Sequence, residues 1–384
     1  MPKKKTTVRI INPSKALSVQ SSSISTKTAE KKRLNPKKRI PSPVILILIS
    51  LLRLLILGGG LAALAGTILT IFDPTKLISS QTNITATETP KTSEPKIAES
   101  SHSLDLFLKQ ELIPLRQKIE KITAKYPKLE LGAFLVDLDN GGYLNLQGDG
   151  IVAAASTIKI PLLVAFLQDV DAKKIHLDEQ LIMDQSVIAK GSGNMQYMKP
   201  NQKFTALETA IKMIIISDNT ATNMLLRRMG GKDVLNQRFQ EWGLHQTVIK
   251  NILPNLEGTN TTSPKDLVLI LNRVSQGDLL SIKMRDRFFE IMQGTVTNTL
   301  LPAGLEKGAI IAHKTGDIGT TLGDAGIIDM PNGKRYLMAV MVKRPHNDEN
   351  GRKVIQEVSR EVYQHFKWST PPPLHQVNLE PKKE

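Results

Sequence analysis

One uninterrupted apolar run near the N-terminus constrains the fold of this chain most strongly. Residues 44–72 read VILILISLLRLLILGGGLAALAGTILTIF, and Arg53 carries the only charge in the run. As an α-helix, the uncharged part of the run, residues 54–72, would span roughly 28 Å, close to the ~30 Å hydrocarbon core of a bilayer. We therefore predict a transmembrane signal anchor within residues 41–72.

The segment before this run is strongly basic. The chain has a net charge of +15, and residues 1–40 hold twelve Lys and Arg against one acid, Glu30. Positive charge before a span predicts a cytoplasmic N-terminus, with the rest of the chain outside the membrane, in the periplasm. Because the basic residues precede a membrane span, we expect no nucleic-acid partner. The alternative is a cleaved signal peptide, since Ala63-Leu64-Ala65 resembles a cleavage site, but both segments are longer than a signal peptide needs.

The remaining residues divide into a linker, one folded domain and a tail. Residues 73–101 are rich in Ser, Thr, Pro, Lys and Glu without apolar periodicity, which is typical of a flexible linker. The prolines at 371–373 end the folded part, so residues 371–384 are predicted as a tail. We predict one domain over residues 102–370.

Strand patterns stand at both ends of this domain, and helical patterns lie between them. Residues 104–125 have helical spacing, and residues 129–137 and 142–146 flank Asn140-Gly141, a hairpin signal. Helices are expected through most of residues 156–292, strands over 308–315, 323–329 and 335–343, and a last helix over 350–366. The predicted fold class is α/β (α+β): an antiparallel sheet flanked by helices, with an inserted all-helical lobe and a cleft between them.

The chain contains no cysteine, which excludes a disulfide scaffold, a thiol nucleophile and Cys-ligated metal sites. Its seven histidines form no His-x-x-x-His or His-Glu-x-x-His pattern, which argues against a zinc hydrolase. We expect no metal and no cofactor.

Three short motifs carry the candidate chemistry. Ser156-Thr157-Ile158-Lys159 opens an apolar helix, Ser217-Asp218-Asn219 follows an apolar run, and Lys314-Thr315-Gly316 ends a predicted strand. A serine hydroxyl needs a base beside it to attack, and a lysine three residues later lies on the same helix face. Lys159 must lose a proton to act as that base, and burial beside a second cation, Lys314, would lower its pKa.

The three motifs, in this order and with the surrounding stretches SDNTATNMLL, LPAGL and AHKTGDIGTT, resemble the class A β-lactamases, which are penicillin-recognising serine enzymes. The resemblance covers residues 105–367. It implies a β-lactamase/transpeptidase-like fold, an acyl-enzyme at Ser156 and an oxyanion hole made by the backbone N–H groups of Ser156 and Asp317.

The resemblance also implies roles for the other motif residues. Ser217 would relay a proton to the leaving nitrogen, and Asn219 would hydrogen-bond the substrate amide and Lys159. Lys314 and Thr315, followed by Gly316, would meet the substrate carboxylate.

Two further polar residues favour structural interpretations. Asp218 is interpreted as holding its loop rather than as a catalytic group. His313 invites a serine–histidine pairing with Ser156, but strand alternation points its ring away from Lys314. We predict a structural histidine.

The sequence departs from the family pattern at two places. Class A enzymes carry a deacylating glutamate in an E-x-x-L-N setting, and this chain instead reads LPNLEGTN over residues 253–260 in a loop about ten residues short. Glu257 is the candidate replacement; the alternative is a carboxylate that merely occupies a turn. Ala325 stands where many class A enzymes place an arginine that binds the substrate carboxylate.

These departures indicate a penicillin-binding protein of the branch closely related to class A β-lactamases. Its partners would be β-lactams and D-alanyl-D-alanine peptides of the cell wall, with slow β-lactam hydrolysis. One alternative is an efficient β-lactamase in which Glu257 serves deacylation. The other is an acylated β-lactam sensor or a cell-wall-binding pseudoenzyme.

Overall fold

The structure is a computed structural model and describes residue 106 and residues 108–368. The predicted basic tail, transmembrane anchor, linker and C-terminal tail all fall outside these residues. Within the described part of the chain, no helix has both the length and the apolar character needed to cross a membrane.

A six-stranded sheet forms the centre of the described domain. Its strands are β1 (Gln110–Glu111), β2 (Glu130–Asp137), β3 (Gly142–Leu146), β8 (Ile310–Asp317), β9 (Thr321–Asp329) and β10 (Arg335–Lys343). Their order across the sheet is β1-β3-β2-β10-β9-β8. All neighbouring pairs are antiparallel except β1 and β3, which are parallel. The prediction of a purely antiparallel sheet is wrong at this edge, because the two-residue β1 approaches β3 in the same direction before its chain turns into a helix.

The predicted hairpin between β2 and β3 is confirmed. Asn140 accepts a hydrogen bond from the Gly142 amide through Oδ1 at 2.7 Å, and Gly141 takes a φ of +75°. Such a positive φ is accessible to glycine without steric cost, so the Asn-Gly pair fixes the turn and the register of both strands.

Alternate residues of the central strands pack into two separate apolar cores. In β2, Phe134 and Val136 belong to one core, whereas Leu131, Ala133 and Leu135 belong to the other. The same alternation divides the side chains of β9 and β10. Because both faces of the sheet are covered, these strands are buried almost throughout.

Helices cover both faces of the sheet. On one face, α1 (Ile113–Thr123) packs against α8 (Asn350–Trp368). On the other face lie α2 (Lys159–Asp171) and α6 (Pro264–Gln276). The helix predicted over residues 104–125 begins only at Ile113, because the preceding residues form β1 and a proline occupies the first turn.

The inserted lobe contains α3 (Ala206–Ile215), α4 (Asn219–Arg228) and α5 (Lys232–Glu241), and α7 (Ile282–Gln293) leads back to the sheet. It is not all-helical as predicted. β5 (Gln180–Met183) pairs with β6 (Gln202–Thr205), and β4 (Val152–Ala153) pairs with β7 (Thr261–Thr262) at the junction with the sheet domain. Strands of two to four residues are too short to show a hydrophobic period, so the sequence pattern could not reveal them.

Candidate active site

Ser156 lies in a tight turn that leads directly into the central helix of the domain. A single 3-10 turn, Ala155–Ile158, precedes α2, and residues 159–167 of α2 are all buried. Ala155 has a φ of +46°, an uncommon conformation for a residue with a Cβ, and such strain is often found at functional turns. The turn leaves Ser156 partly exposed at the end of a rigid helix.

Lys159 lies at the centre of the motif residues. Its Nζ is 3.1 Å from Ser156 Oγ and 3.1 Å from Ser217 Oγ. It also lies 2.7 Å from the backbone oxygen of Ser217 and 2.9 Å from Asn219 Oδ1. The spacing of three residues places Lys159 directly over Ser156, because residues three apart eclipse in a 3-10 turn.

The surroundings of Lys159 favour its neutral form. The side chain is fully buried, and burial lowers its pKa well below the ordinary lysine value; the Lys314 ammonium lowers it further, whereas Asp218 raises it. A neutral amine has two N–H donors and one lone pair. The Ser217 carbonyl and Asn219 Oδ1 accept hydrogen bonds only, so they can take both donors and leave the lone pair for a hydroxyl.

The second motif forms the start of α4 and closes the site from the lobe. Ser217 takes a φ of +57°. Asp218 is fully buried and caps α4: its Oδ1 accepts from the Ala221 amide, and its Oδ2 accepts from the Met195 amide, both at 2.9 Å. Asn219 donates through Nδ2 to the Lys190 carbonyl at 3.0 Å. These bonds place Asp218 in a loop-holding position.

The third motif occupies the end of β8. Lys314 is buried, and burial lowers its pKa to about 8, although Asp324 opposes this shift. Among the described residues its ammonium donates only to the Thr315 carbonyl, at 2.9 Å, so donors remain for an anion. Gly316 packs on the Ser156 turn so closely that an added Cβ would lie 2.9 Å from the Ser156 nitrogen.

His313 lies on the opposite face of β8 from Lys314. Its Nδ1 is 2.9 Å from one carboxylate oxygen of buried Asp324 and 3.0 Å from the other. Asp324 also accepts from the Leu301 amide at 3.1 Å. The ring is therefore held within the core by Asp324 rather than beside Ser156.

Asp317 follows Gly316, and its carboxylate is tied to a buried arginine. Arg344 donates to Asp317 Oδ1 at 2.6 Å and, through Nε, to the Gly319 carbonyl at 2.8 Å. The Arg344 side chain is only 2% exposed, whereas that of Asp317 is 49% exposed. Asp317 Oδ1 also accepts from the Gly319 amide at 2.8 Å, so the turn after β8 is held at several points.

Two cavities meet at Ser156. The Asn219 arm, about 610 Å³, is lined by Ser156, Asn219, Lys190, Leu253, Asp317 and His346, among others. The Ser217 arm, about 470 Å³, is lined by Ser156, Ser217, Thr315, Gly316, Asp317 and Arg352, among others. A larger cavity of about 840 Å³ lies elsewhere, around Asp169 and Arg238, which pair with each other at 3.1 Å, and it contains none of the motif residues.

Glu257 lies apart from the other predicted site residues. It is exposed, lines neither arm and has no hydrogen bond or ion pair to another described residue. Its neighbour Leu256 lines the Asn219 arm instead, with an exposed fraction of 69%. The buried residues of this loop are held by other contacts: Asn223 bonds both the amide and the carbonyl of Leu253, at 2.9 and 2.7 Å.

Two arginines at the site, Arg344 and Arg352, were not predicted from the sequence. Arg344 follows β10 and Arg352 lies in the first turns of α8, where Arg352 also bonds exposed Glu349 at 3.0 Å. Both lie outside the three motifs, and only the packing of β8, β10 and α8 brings them to the site. Neither arginine belongs to a local pattern that could have revealed it in the sequence, although in the structure an added Cβ at Gly351 would lie 2.9 Å from the Arg344 side chain.

Comparison with known proteins agrees with this geometry. A model described as the β-lactamase enzyme family matches residues 114–366. β-Lactamase BRO-1 of Moraxella catarrhalis is 26% identical over 307 residues, which covers 76% of this chain and 94% of that protein. The solved structure of PBP-A is 54% identical, with a TM-score of 0.67, and covers 68% of this chain and 99% of that one. A PBP-A variant solved as an acyl-enzyme complex with penicillin G has the same identity and TM-score.

Proposed function

This chain belongs to the β-lactamase enzyme family, as a serine hydrolase that acts on β-lactams, and from that membership we propose a more specific role. We propose that it is a membrane-anchored penicillin-binding D,D-peptidase that is acylated at Ser156 and releases a β-lactam acyl group slowly. Its own substrates would be cell-wall peptides ending in D-alanyl-D-alanine.

One observation carries this proposal: Ser156 has a complete set of partners for acylation and no free carboxylate for deacylation. Of the residues that line the Asn219 arm and the Ser217 arm, Asp317 alone has a carboxylate, and Arg344 holds it. Glu257 lines neither arm. A water molecule approaching the acyl carbon from either arm would therefore find no free carboxylate to act as its general base.

The comparisons support the same choice within the family. The chain is 54% identical to PBP-A and 26% identical to β-lactamase BRO-1. A variant of PBP-A was solved as an acyl-enzyme complex with penicillin G, which requires an ester that persists in that variant.

Acylation follows from the contacts of Lys159. Ser156 Oγ attacks the substrate carbonyl carbon and passes its proton to the neutral Lys159 amine, 3.1 Å away. The backbone N–H groups of Ser156 and Asp317 are expected to stabilise the oxyanion. When the C–N bond breaks, the proton moves from Lys159 through Ser217 Oγ, also 3.1 Å from Nζ, to the leaving nitrogen.

The Ser217 arm would receive the leaving side of the substrate and its carboxylate. Thr315 and Arg352 line it, and the Lys314 ammonium has donors to spare. Arg352 thus offers a guanidinium at the site although the strand position Ala325 has none. The Asn219 arm would receive the acyl side, where the Asn219 amide contacts the substrate amide.

Deacylation is the slow step in this proposal. Loss of a positioned general base typically costs 10²–10⁴-fold in rate. An acyl-enzyme with a β-lactam also retains its tethered leaving group in the site, which hinders the approach of water. A peptide releases D-alanine, which can diffuse away and leave room for water or an acceptor amine.

Steady-state kinetics of residues 102–370 would test the proposal with two substrates. We expect slow turnover of benzylpenicillin, measurable release of D-alanine from diacetyl-Lys-D-Ala-D-Ala, and loss of both with Ser156→Ala. Glu257→Gln should leave benzylpenicillin turnover unchanged.

Two other outcomes would replace the proposal. Fast benzylpenicillin turnover that Glu257→Gln abolishes would make the protein an efficient β-lactamase. Stoichiometric acylation with no peptide hydrolysis, together with a full cellular role for the Ser156→Ala chain, would make it a β-lactam sensor or a wall-binding pseudoenzyme.

The membrane anchor is part of the proposal and rests on the apolar run at residues 44–72. The full chain should sediment with membranes and resist carbonate extraction, and the domain should be degraded by protease added from the periplasmic side. A soluble exported domain lacking residues 1–65 would indicate a cleaved signal peptide instead.

A further inference from the structure

The walls of the Asn219 arm carry an uneven distribution of charge. Two basic side chains, Lys190 and His346, and one acidic side chain, Asp317, line it. The other lining residues are neutral, including Ser192, Asn255 and Thr320. The net charge of the arm therefore depends on how each of these three groups is paired.

Asp317 contributes little negative charge to the arm, because Arg344 compensates it. The Arg344 guanidinium contacts Asp317 Oδ1 at 2.6 Å and is itself almost completely buried. A hydrogen-bonded arginine–carboxylate pair is close to neutral at the distance of a ligand in the arm. Asp317 is also the only acid in the lining.

Lys190 contributes an uncompensated positive charge. Its backbone is fixed at the site, since its carbonyl accepts a hydrogen bond from Asn219 Nδ2 at 3.0 Å. Its side chain is exposed, and among the described residues Nζ has no hydrogen bond or ion pair. The ammonium is therefore available to a ligand.

His346 stands in the loop that Arg344 begins, between β10 and α8. The ring packs over Gly319, where an added Cβ would lie within 2.5 Å of its Nδ1. The Asn347 amide donates to the Gly319 carbonyl at 3.0 Å and holds this loop against the turn after β8. His346 thus offers a donor to the same arm, and no other described residue uses it.

We infer that the Asn219 arm selects acyl donors with an anionic side chain, such as a peptide that carries a carboxylate close to the D-alanyl-D-alanine end. The inference rests on the proposed function, which places the acyl side of the substrate in this arm. A carboxylate there would meet Lys190 and His346 and no free acid. A solvent-exposed charge pair of this kind changes rates by about twofold to fivefold, and its effect weakens with salt.

Two isosteric peptides that differ in the charge of one side chain test this selectivity directly. Acetyl-L-Glu-D-Ala-D-Ala and acetyl-L-Gln-D-Ala-D-Ala differ only in charge at the residue that would enter the arm. We expect kcat/KM for D-alanine release to be about twofold to fivefold higher for the Glu peptide at about 20 mM salt, and the ratio to approach one at about 500 mM salt.

Three penicillins provide the same test on acylation. Carbenicillin, benzylpenicillin and ampicillin carry a carboxylate, a hydrogen and an ammonium on the same side-chain carbon. Because the three differ in intrinsic reactivity, the informative quantity is the carbenicillin-to-ampicillin ratio of second-order acylation constants in each variant. Lys190→Gln should lower this ratio about threefold to tenfold, and His346→Gln should lower it less.

Lys203→Gln is the matched control, because Lys203 is an exposed lysine of β6 that lines neither arm. The inference would be overturned if the carbenicillin-to-ampicillin ratio were unchanged both in Lys190→Gln and in the charge-reversed Lys190→Glu. The proposed function would stand in that case, provided that benzylpenicillin still acylated Ser156. Failure of all three penicillins to acylate Ser156 would instead overturn the proposed function.

Discussion

Two buried lysines share this active site, and their surroundings give them different protonation behaviour. Lys159 is surrounded by four acceptor atoms from Ser156, Ser217 and Asn219, and burial beside Lys314 lowers its pKa far below the ordinary value. Lys314 has one acceptor among the described residues and a pKa lowered to about 8. Lys159 is thus suited to accept a proton, and Lys314 to hold an anion.

The pKa of Lys314 predicts an alkaline limit to acylation. Below pH 8 its ammonium is mostly protonated and attracts the substrate carboxylate; as pH rises through about 8 the charge is lost. The second-order acylation constant reports the free enzyme and should fall about tenfold per pH unit above that point. Stopped-flow acylation from pH 6 to 10 measures this limb.

Lys314→Arg provides the comparison, because a guanidinium stays protonated throughout this pH range. The variant should acylate more slowly but lose its alkaline limb. A limb that stays near pH 8 in Lys314→Arg would assign it to another group.

Arg344 is predicted to position Asp317 and neutralise its charge. In Arg344→Met the Asp317 carboxylate would repel an anionic substrate, and the turn after β8 would lose its bonds to the guanidinium. Asp317 is expected to supply one oxyanion donor, and complete loss of such a donor costs about 10²–10³-fold, so its partial displacement should slow acylation by benzylpenicillin about 10- to 100-fold in the folded protein. The measurement is the acylation rate of the variant, expressed per mole of folded protein after the folded fraction of the sample has been determined.

A double variant separates the two contributions of Arg344. Adding Asp317→Asn to Arg344→Met removes the uncompensated charge and should restore part of the rate. Lys343→Gln, which removes an exposed pair with Glu130 on the neighbouring position, should acylate normally. If Arg344→Met lowered only the melting temperature, Arg344 would be a purely structural residue.

At the level of individual residues, the sequence motifs predicted the group around Lys159 but not the two arginines. Lys159 and Ser156 are three residues apart, so local helix geometry suffices to bring them together. Arg344 and Asp317 are 27 residues apart and meet only because β9 lies between their strands. Contacts that depend on tertiary packing leave no short motif in a single sequence.

At the scale of elements, β8 and the turn that contains Ser156 pack closely against each other. The end of β8 packs against the turn that precedes α2, and Gly316 makes this approach possible. An added Cβ there would lie 2.9 Å from the Ser156 nitrogen and 3.0 Å from both the Thr157 nitrogen and Ala155 Cβ. Two of these atoms belong to backbone that cannot rotate away.

Gly316→Ala is therefore expected to separate β8 from the Ser156 turn. A displacement of even a few tenths of an ångström misplaces the oxyanion donors, and loss of one such donor costs about 10²–10³-fold. Acylation should fall by at least that factor, as measured with benzylpenicillin. Gly150→Ala, whose Cβ would approach only the Gln147 carbonyl at 3.1 Å, is the control and should acylate normally.

Asp218 joins α4 to the loop that carries Met195. Asp218→Ala removes a helix cap and a buried bond to the Met195 amide, and each costs about 1–2 kcal/mol of stability. Urea unfolding should show this loss, and acylation should fall because Ser217 and Asn219 flank Asp218. Ser281→Ala removes the cap of α7, far from the motifs, and should lower stability without changing the acylation rate.

Regular elements were predictable where the local chemistry was strong. The Asn140-Gly141 turn fixed the β2–β3 hairpin, and residues 335–343 form a strand with the predicted bounds. The late start of α1 and the short strands of the lobe were missed, because edge pairing and two-residue ladders depend on distant partners rather than on local periodicity.

At the scale of the whole molecule, the proposed function combines a domain whose residues are arranged for acylation with a sequence that predicts attachment to the membrane. A tethered enzyme acts on substrate that is itself confined near the membrane or wall, so turnover of a soluble antibiotic is not its main requirement. The residues of the short loop that line the Asn219 arm bring no carboxylate into it, since Glu257 does not line this arm. Both features agree with a peptidase that β-lactams inhibit.

The lifetime of the penicilloyl adduct tests this account most directly. Residues 102–370 would be mixed with one equivalent of benzylpenicillin and followed by intact mass over time, beside a Ser156→Ala control. We predict a stoichiometric adduct on Ser156 that persists for minutes to hours and is absent from the control. Rapid consumption of penicillin with no accumulating adduct would contradict it.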